Sequence, residues 1–222
     1  MGCRSEHYSR GSDVLEAYEL FLRELVGAGN SVIVPTPAYM PFLSVPKLYD
    51  VDVIEIEMLQ SGDAETGEAQ WVFDFDAIER AFAAGCHAFV LCNPHNPIGK
   101  VLTLEEELRL SDLAAQYDVR IFNDEIHAPF VFEGKHIPFP TISEQAALQS
   151  MTATSASKSF NIPGTKCAQV LLTNPADRDM WAVKAEWSEH QTAAIGAIAT
   201  TTAYNEGDLW FQDAFAYVRR NF

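Results

Sequence analysis

The sequence has no apolar run approaching the length of a bilayer span. Its opening residues, MGCRSEHYSRGSD, lack the apolar stretch of a secretory signal. Gly2 would suit N-myristoylation, but Glu6 stands where that pattern needs Ser or Thr. Basic residues are scarce: 15 Lys and Arg face 31 Asp and Glu, a formal charge of −16. A surface of that sign repels a nucleic-acid backbone or an anionic membrane, so neither is expected as a partner. Cysteine is sparse too. Cys3, Cys86, Cys92 and Cys167 form no CxxC pair and no metal-ligand spacing with histidine. They are expected to be free thiols in a reducing cytoplasm, with no metal bound.

With 48% hydrophobic and 21% charged residues in 222, the chain can bury a substantial core. Short β-branched or apolar runs alternate with stretches of helical period. SVIV (31–34), VDVIEIE (51–57), AFVLC (88–92), VRIF (119–122), QSMTAT (149–154) and CAQVLL (167–172) are predicted strands. Several lack in–out alternation, which suits strands covered on both faces of a largely parallel sheet. Ser12 is the predicted cap of a helix whose Val14, Tyr18, Phe21, Leu22 and Leu25 share a face, closing near Gly27 and Gly29. Thr103 and Glu106 form a capping box for a helix with Leu110, Leu113, Ala114 and Tyr117 on one stripe. A third helix is expected over 74–85, ended by Gly85, and the tail from Pro175 is mostly helical. The polar stretch 60–70 is expected to be a solvated loop. Strand–helix alternation of this kind predicts an α/β domain with layers on both faces of the sheet.

In such sheets the working side chains lie in loops just past the carboxyl ends of strands. AFVLC is followed by NPHNPIGK (93–100), VRIF by NDEIH (123–127), and QSMTAT by SASKSFNIPGTK (155–166). Three strand ends thus offer an amide, a carboxylate with a nearby imidazole, and a lysine among small hydroxyl residues. Each has a plainer reading alone. The two Asn-Pro pairs make turns, Asp124 and Glu125 could be a solvated strand-end pair, and Lys158 could be a surface lysine. Their joint order and spacing favours a site. His95 is read as a turn residue or pocket lining. His87, His136 and His190 have no metal-like partners, and Trp71, Trp181, Trp187 and Trp210 suit core or interface. Cys92 is expected to be a buried small residue rather than a reactive thiol.

These motifs, with VPTPAYMPF (34–42), resemble the pyridoxal-phosphate enzymes of aminotransferase class I/II, fold type I. Within them NPHNP and DEIH resemble the MalY/PatB-type cystathionine β-lyase group, since aminotransferases commonly carry a tyrosine where His127 stands. The resemblance runs from about Gly11 to the end. It implies a three-layer α/β/α large domain with a mostly parallel sheet. Lys158 would bond the cofactor aldehyde, for which it needs desolvation and no salt-bridge partner. Asp124 would face the pyridine nitrogen. Asn96 would donate to the phenolic oxygen with His127 nearby, and Tyr39 would stack on the ring. Ser155, Ser157, Lys166, Gly11, Ser12 and the first helix's N-terminus would hold the phosphate, with Asp13 opposing it unless it points away.

Members of that family are longer, so residues 1–222 are expected to be the large cofactor domain of a truncated product. The N-terminal arm and C-terminal small domain would be missing or incomplete, with Arg219 and Arg220 too early to hold a substrate carboxylate. The implied activity is β-elimination on cystathionine or a cysteine S-conjugate, in a protein that is homodimeric at full length. An amino-acid aminotransferase, and a non-catalytic or regulatory module, stay open beside it.

Overall fold

The computed structural model describes residues 7–62 and 70–221. Gly2, Cys3 and most of the polar stretch, 63–69, lie outside the described residues. The strands are β1 (Tyr8–Gly11), β2 (Ser31–Thr36), β3 (Asp52–Glu57), β4 (Leu59–Ser61), β5 (Gln70–Val72), β6 (Ala88–Cys92), β7 (Arg120–Asp124), β8 (Ser150–Thr154) and β9 (Ala168–Leu172). The helices are α1 (Val14–Phe21), α2 (Pro41–Ser44), α3 (Phe75–Ala83), α4 (Leu104–Gln116), α5 (Glu144–Gln149), α6 (Ala156–Ser159), α7 (Pro175–Lys184), α8 (Glu186–His190), α9 (Ala194–Glu206) and α10 (Asp208–Arg220).

Seven strands form one sheet in the order β1-β9-β8-β7-β6-β2-β3, while β4 and β5 pair apart as an antiparallel hairpin. From β8 to β3 all neighbours run parallel. Each predicted strand is present. The continuous apolar runs have a direct cause in the layers above and below. In β6, Val90 and Cys92 join a core cluster with Tyr18 and Phe21 of α1. Phe89 and Leu91 join another with Ile78 and Phe82 of α3 and Leu110 of α4. Burying each large side chain contributes roughly 1.5–3 kcal/mol, so both faces of the strand must be apolar.

The sheet is mostly parallel, as expected, with antiparallel pairs at one side and a different cap on α1. β9 is antiparallel to β8, with the short α6 and a single tight turn (Pro163–Thr165) between them. β1 adds a further antiparallel edge against β9, pairing Gly11 with Ala168. The cap of α1 is Asp13 rather than Ser12: Asp13 Oδ1 accepts the Glu16 N–H at 2.9 Å, while Ser12 N–H donates to Glu16 Oε2 at 2.6 Å. Both Ser and Asp cap well, and the carboxylate three residues on fixes the choice. The helix then passes through a π-helical turn (Leu22–Val26) and ends at Gly27, whose φ of 82° needs no Cβ. The Thr103–Glu106 capping box is present. Gln60, Ser61 and Gln70, expected in a loop, are exposed hairpin residues. The tail is helical, with Trp181 of α7 in the core. No helix among the described residues is long and apolar enough to cross a membrane.

Candidate active site

β6, β7 and β8 are parallel neighbours in register, Cys92 beside Asp124 and Asp124 beside Ala153. The loops that follow them therefore open on one edge of the sheet. Every side chain singled out from the sequence for a cofactor lines one cleft of about 240 Å³ there.

Asp124 is its buried carboxylate. Oδ1 accepts the Ile126 N–H at 3.0 Å. Burial pushes its pKa up to about 7, against the Ile126 bond; the Glu125 charge adds to the rise and Lys158 opposes it. A carboxyl this costly to ionise is poised to gain from a cation placed beside it. Lys158 follows from α6. Three lysines lie near the strand ends, and two are tied: Lys100 to Glu106 at 2.8 Å and Lys166 to Asp13 at 2.7 Å. The Lys158 amine makes no ion pair or hydrogen bond among the described residues. Its desolvation differs from expectation, because Lys158 is exposed. Small neighbours remove competing partners, but they do not cover the side chain.

His127 is half-buried, with its pKa lowered by burial and then by the Lys158 charge, so its imidazole is neutral at physiological pH. Asn96, also half-buried, sits in a loop closed by His95 N–H to Lys100 O at 2.7 Å. Tyr39 holds its ring edge-on to Phe42, with centroids 5.6 Å apart.

The end expected to take phosphate is more constrained. Ser155 donates its hydroxyl proton to Cys167 O at 2.7 Å and accepts Ser157 N–H at 3.0 Å. In this arrangement its hydroxyl braces the loop while still lining the cleft. The Ser157 hydroxyl and the Lys166 amine remain as donors. Lys166 is exposed and its pKa is raised by the hydrogen bond and charge of Asp13. Asp13, the awkward residue of the sequence reading, points at the cation rather than away from it.

Several residues escaped sequence reasoning. Glu125 is buried rather than solvated, and His136 Nε2 lies 3.4 Å from its Oε2. Glu107 of α4 is buried, accepts from Asn93 Nδ2 at 2.7 Å, and has its pKa raised to about 8, first by burial and then by Glu125. The carboxylate beside Asp124 was the available signal, but its partners are distant in sequence. His95 is buried, with Nε2 2.8 Å from Pro37 O, and lines a second cavity of about 710 Å³. That cavity shares Asn96 and His127 with the cleft. Cys92 is buried with a raised pKa, caused first by burial, which suits an inert thiol.

The family described as aminotransferase class I and II matches residues 8–213. Among curated proteins, a cystathionine beta-lyase of Corynebacterium glutamicum is 37% identical over 209 residues, covering 94% of this chain and 54% of that one. Protein MalY of Escherichia coli is 30% identical over 217 residues, covering 95% and 53%. The chain thus spans about half the length of the relatives it matches. Among solved structures, cystalysin from Treponema denticola, which contains a pyridoxal 5'-phosphate cofactor, superposes with a TM-score of 0.88 at 28% identity, over 96% of this chain and 54% of that one.

Proposed function

The chain belongs to the aminotransferase class I and II family, and from that premise we propose that residues 1–222 are the cofactor-binding large domain of a pyridoxal-phosphate-dependent carbon–sulfur β-lyase. Its substrates are cystathionine or cysteine S-conjugates, and its products a thiol, pyruvate and ammonia. The observation that carries the reading is the convergence of Lys158, Asp124 and Asn96, from three separate strand ends, on one cleft. The likeness to a cystathionine beta-lyase supports the substrate class.

The donor set fits that cofactor. Asp124 offers a buried carboxylate for a pyridine nitrogen, Asn96 an amide for a phenolic oxygen, and Tyr39 an aromatic face. Ser157 and Lys166 offer a hydroxyl and a cation for a phosphate, with the N-terminus of α1 beside them. When bound, the cofactor supplies an aldehyde for an amine and a ring that draws electrons from the substrate's Cα.

The Lys158 amine would hold that aldehyde and, when free of it, would take the proton from the substrate's Cα as general base. The Cα–H electron pair would become a Cα=Cβ bond as the Cβ–S bond breaks with its pair on sulfur, which would leave as the thiolate; water would hydrolyse the remaining enamine to pyruvate and ammonia. Asp124 would hold a proton at the pyridine nitrogen: its pKa, raised by burial, would fall with a cation facing it, and the two charges would stabilise each other away from water. Asn96 and neutral His127 would orient the ring edge, and Tyr39 would fix its plane. Cytoplasmic location is part of the proposal, supported by the free, buried Cys86, Cys92 and Cys167. So is a homodimer, supported by the exposed Ile195, Ile198 and Leu209 of α9 and α10.

The test is product analysis on cystathionine with added cofactor. Pyruvate and thiol formed without a keto acid support the lyase. Amino transfer that requires a keto acid would place the chain with the aminotransferases, and no turnover of any amino acid would favour a non-catalytic module.

A further inference from the structure

Between β7 and α5 the chain leaves the sheet, passes the cleft at His127 and returns to the core at Phe139, which is fully buried. Successive residues at a strand end point to opposite faces. Asp124 turns its carboxylate to the cleft, and Glu125 turns away from it. The buried Glu125 carboxylate gathers groups from three places. Oε1 accepts Asn123 Nδ2 at 2.7 Å and the Phe139 N–H at 2.8 Å, and Oε2 lies 3.4 Å from His136 Nε2. Asn123 Nδ2 also donates to Thr152 Oγ1 of β8 at 3.1 Å, and Glu125 N–H donates to Ala153 O at 3.0 Å. The Glu125 side chain therefore ties the far end of the 126–138 segment to Asn123 of β7, while the Asn123 amide and the Glu125 backbone N–H tie the same point to β8.

Asp124 on the same strand and Glu107 from α4 lie close by, and burial raises the pKa of both carboxyls. The His136 side chain is only 9% exposed, and its Nε2 is the ring nitrogen that faces the Glu125 carboxylate, 3.4 Å from Oε2.

We propose that Glu125, seconded by His136, is the positioning residue of the site: it pins both ends of the 126–138 segment and so holds His127 where it faces the cleft and the second cavity together. Glu125 is not among the residues that line the cleft, and it acts through His127. The part that His127 plays rests on the cofactor reading above, whereas the staple does not.

The experiment compares Glu125→Ala with the parent chain by amide hydrogen exchange and by NMR titration of the His127 imidazole. Loss of the staple is expected to speed exchange of Phe139 and of 126–138 about tenfold or more, with β6 amides unchanged. The His127 titration is expected to move up toward the ordinary imidazole value as its ring gains solvent. A general loss of stability would not move that titration selectively. Should the alanine variant fail to fold, Glu125→Asp keeps the charge but is too short to reach Phe139 N–H, and the same two changes are expected. Parental exchange across 126–139 with a parental His127 titration, in either folded variant, overturns the proposal. Pyridoxal phosphate titrated into the parent chain separates the two readings: failure to bind refutes the cofactor site and leaves the staple to be decided by exchange and titration.

Discussion

Replacing Gly196 with alanine sets two sizeable effects against each other at a point tied to Lys166. Gly196 is buried near the start of α9, where the Ala193 N–H donates to Lys166 O at 3.1 Å. By propensity alone, alanine in place of glycine stabilises a helix by about 1 kcal/mol. An added Cβ, however, would lie 2.1 Å from Thr165 O, 3.0 Å from Thr165 C and 3.1 Å from Cys167 Cβ. The nearest atoms are backbone, so no side chain can swing aside, and relief requires α9 to lift by roughly 1 Å. Overpacking of this kind costs ~1–3 kcal/mol, often more against backbone. The clash wins: a net loss of about 1–2 kcal/mol is expected, lowering Tm by roughly 2–8 °C for a chain of this size. The lift also strains the Ala193–Lys166 bond, so affinity for pyridoxal phosphate should fall about tenfold. Thermal unfolding and an absorbance titration read the two effects. Gly164→Ala, where a Cβ meets nothing within 4 Å, is the control. A Gly196→Ala chain as stable as the parent, with unchanged cofactor affinity, would refute the reasoning.

Lys158→Ala should abolish borohydride trapping of pyridoxal phosphate, and peptide mapping of the parent should place the label on Lys158; a label on Lys100 or Lys166 would sink that assignment. Asp124→Asn carries a pH signature in the cofactor-free chain. The folded pKa of Asp124 is raised from 3.8 to about 7, so its contribution to stability is fully present below the lower value and lost as pH rises through the upper. An amide stays neutral, and the variant should match the parent near pH 4 yet exceed it by ~2–4 kcal/mol at pH 8. Urea unfolding at both pH values checks this, and a pH-independent difference refutes it. The same variant should lose most turnover. Asp13→Asn keeps a competent helix cap but frees Lys166, so pyridoxal phosphate should bind severalfold tighter while pyridoxal, lacking the phosphate, is unaffected. Equal effects on both ligands would show that Asp13 does not compete for the cation.

What was legible in the sequence followed from local rules. Phe89, Val90 and Leu91 in an unbroken run report a strand covered on both faces. Once the strands are placed, the strand-end rule delivers Asn96, Asp124 and Lys158 to one edge without further information. What was not legible depends on distant contacts. The sense of β9 depends on its pairing with β8 and β1, which its own residues do not encode, and the role of Glu125 depends on Phe139 N–H and His136, both beyond a loop. The exposure of Lys158 is a tertiary quantity on which its small neighbours are silent. Ser12 and Asp13 are equally good caps on paper, and Glu16 decides between them. Gly196 looks like an ordinary weak spot in a helix until the Thr165 carbonyl is placed beside it.

The acidity of the chain and the proposed anionic cofactor are compatible because the two act over different distances. A net charge of −16 repels a polyanion that lies along the surface over many ångströms. A bound phosphate senses little beyond a screening length of about 8 Å at physiological salt. Within that range it meets Lys166 and the N-terminus of α1, opposed by Asp13. A pyridine nitrogen in the same cleft meets Asp124, whose burial leaves the carboxyl short of a cation. The cleft therefore offers a cation for the anionic end of such a molecule and a carboxylate for its cationic end. It selects a dipolar ligand over a simple anion: inorganic phosphate would gain Lys166 but leave Asp124 protonated and unpaired. Tighter binding of pyridoxal phosphate than of phosphate should therefore shrink in Asp124→Asn. Because that variant leaves Lys166 untouched, its affinity for inorganic phosphate should stay at the parental value; a fall in both would show that Asp124 supports the fold of the cleft rather than the charge of the ligand.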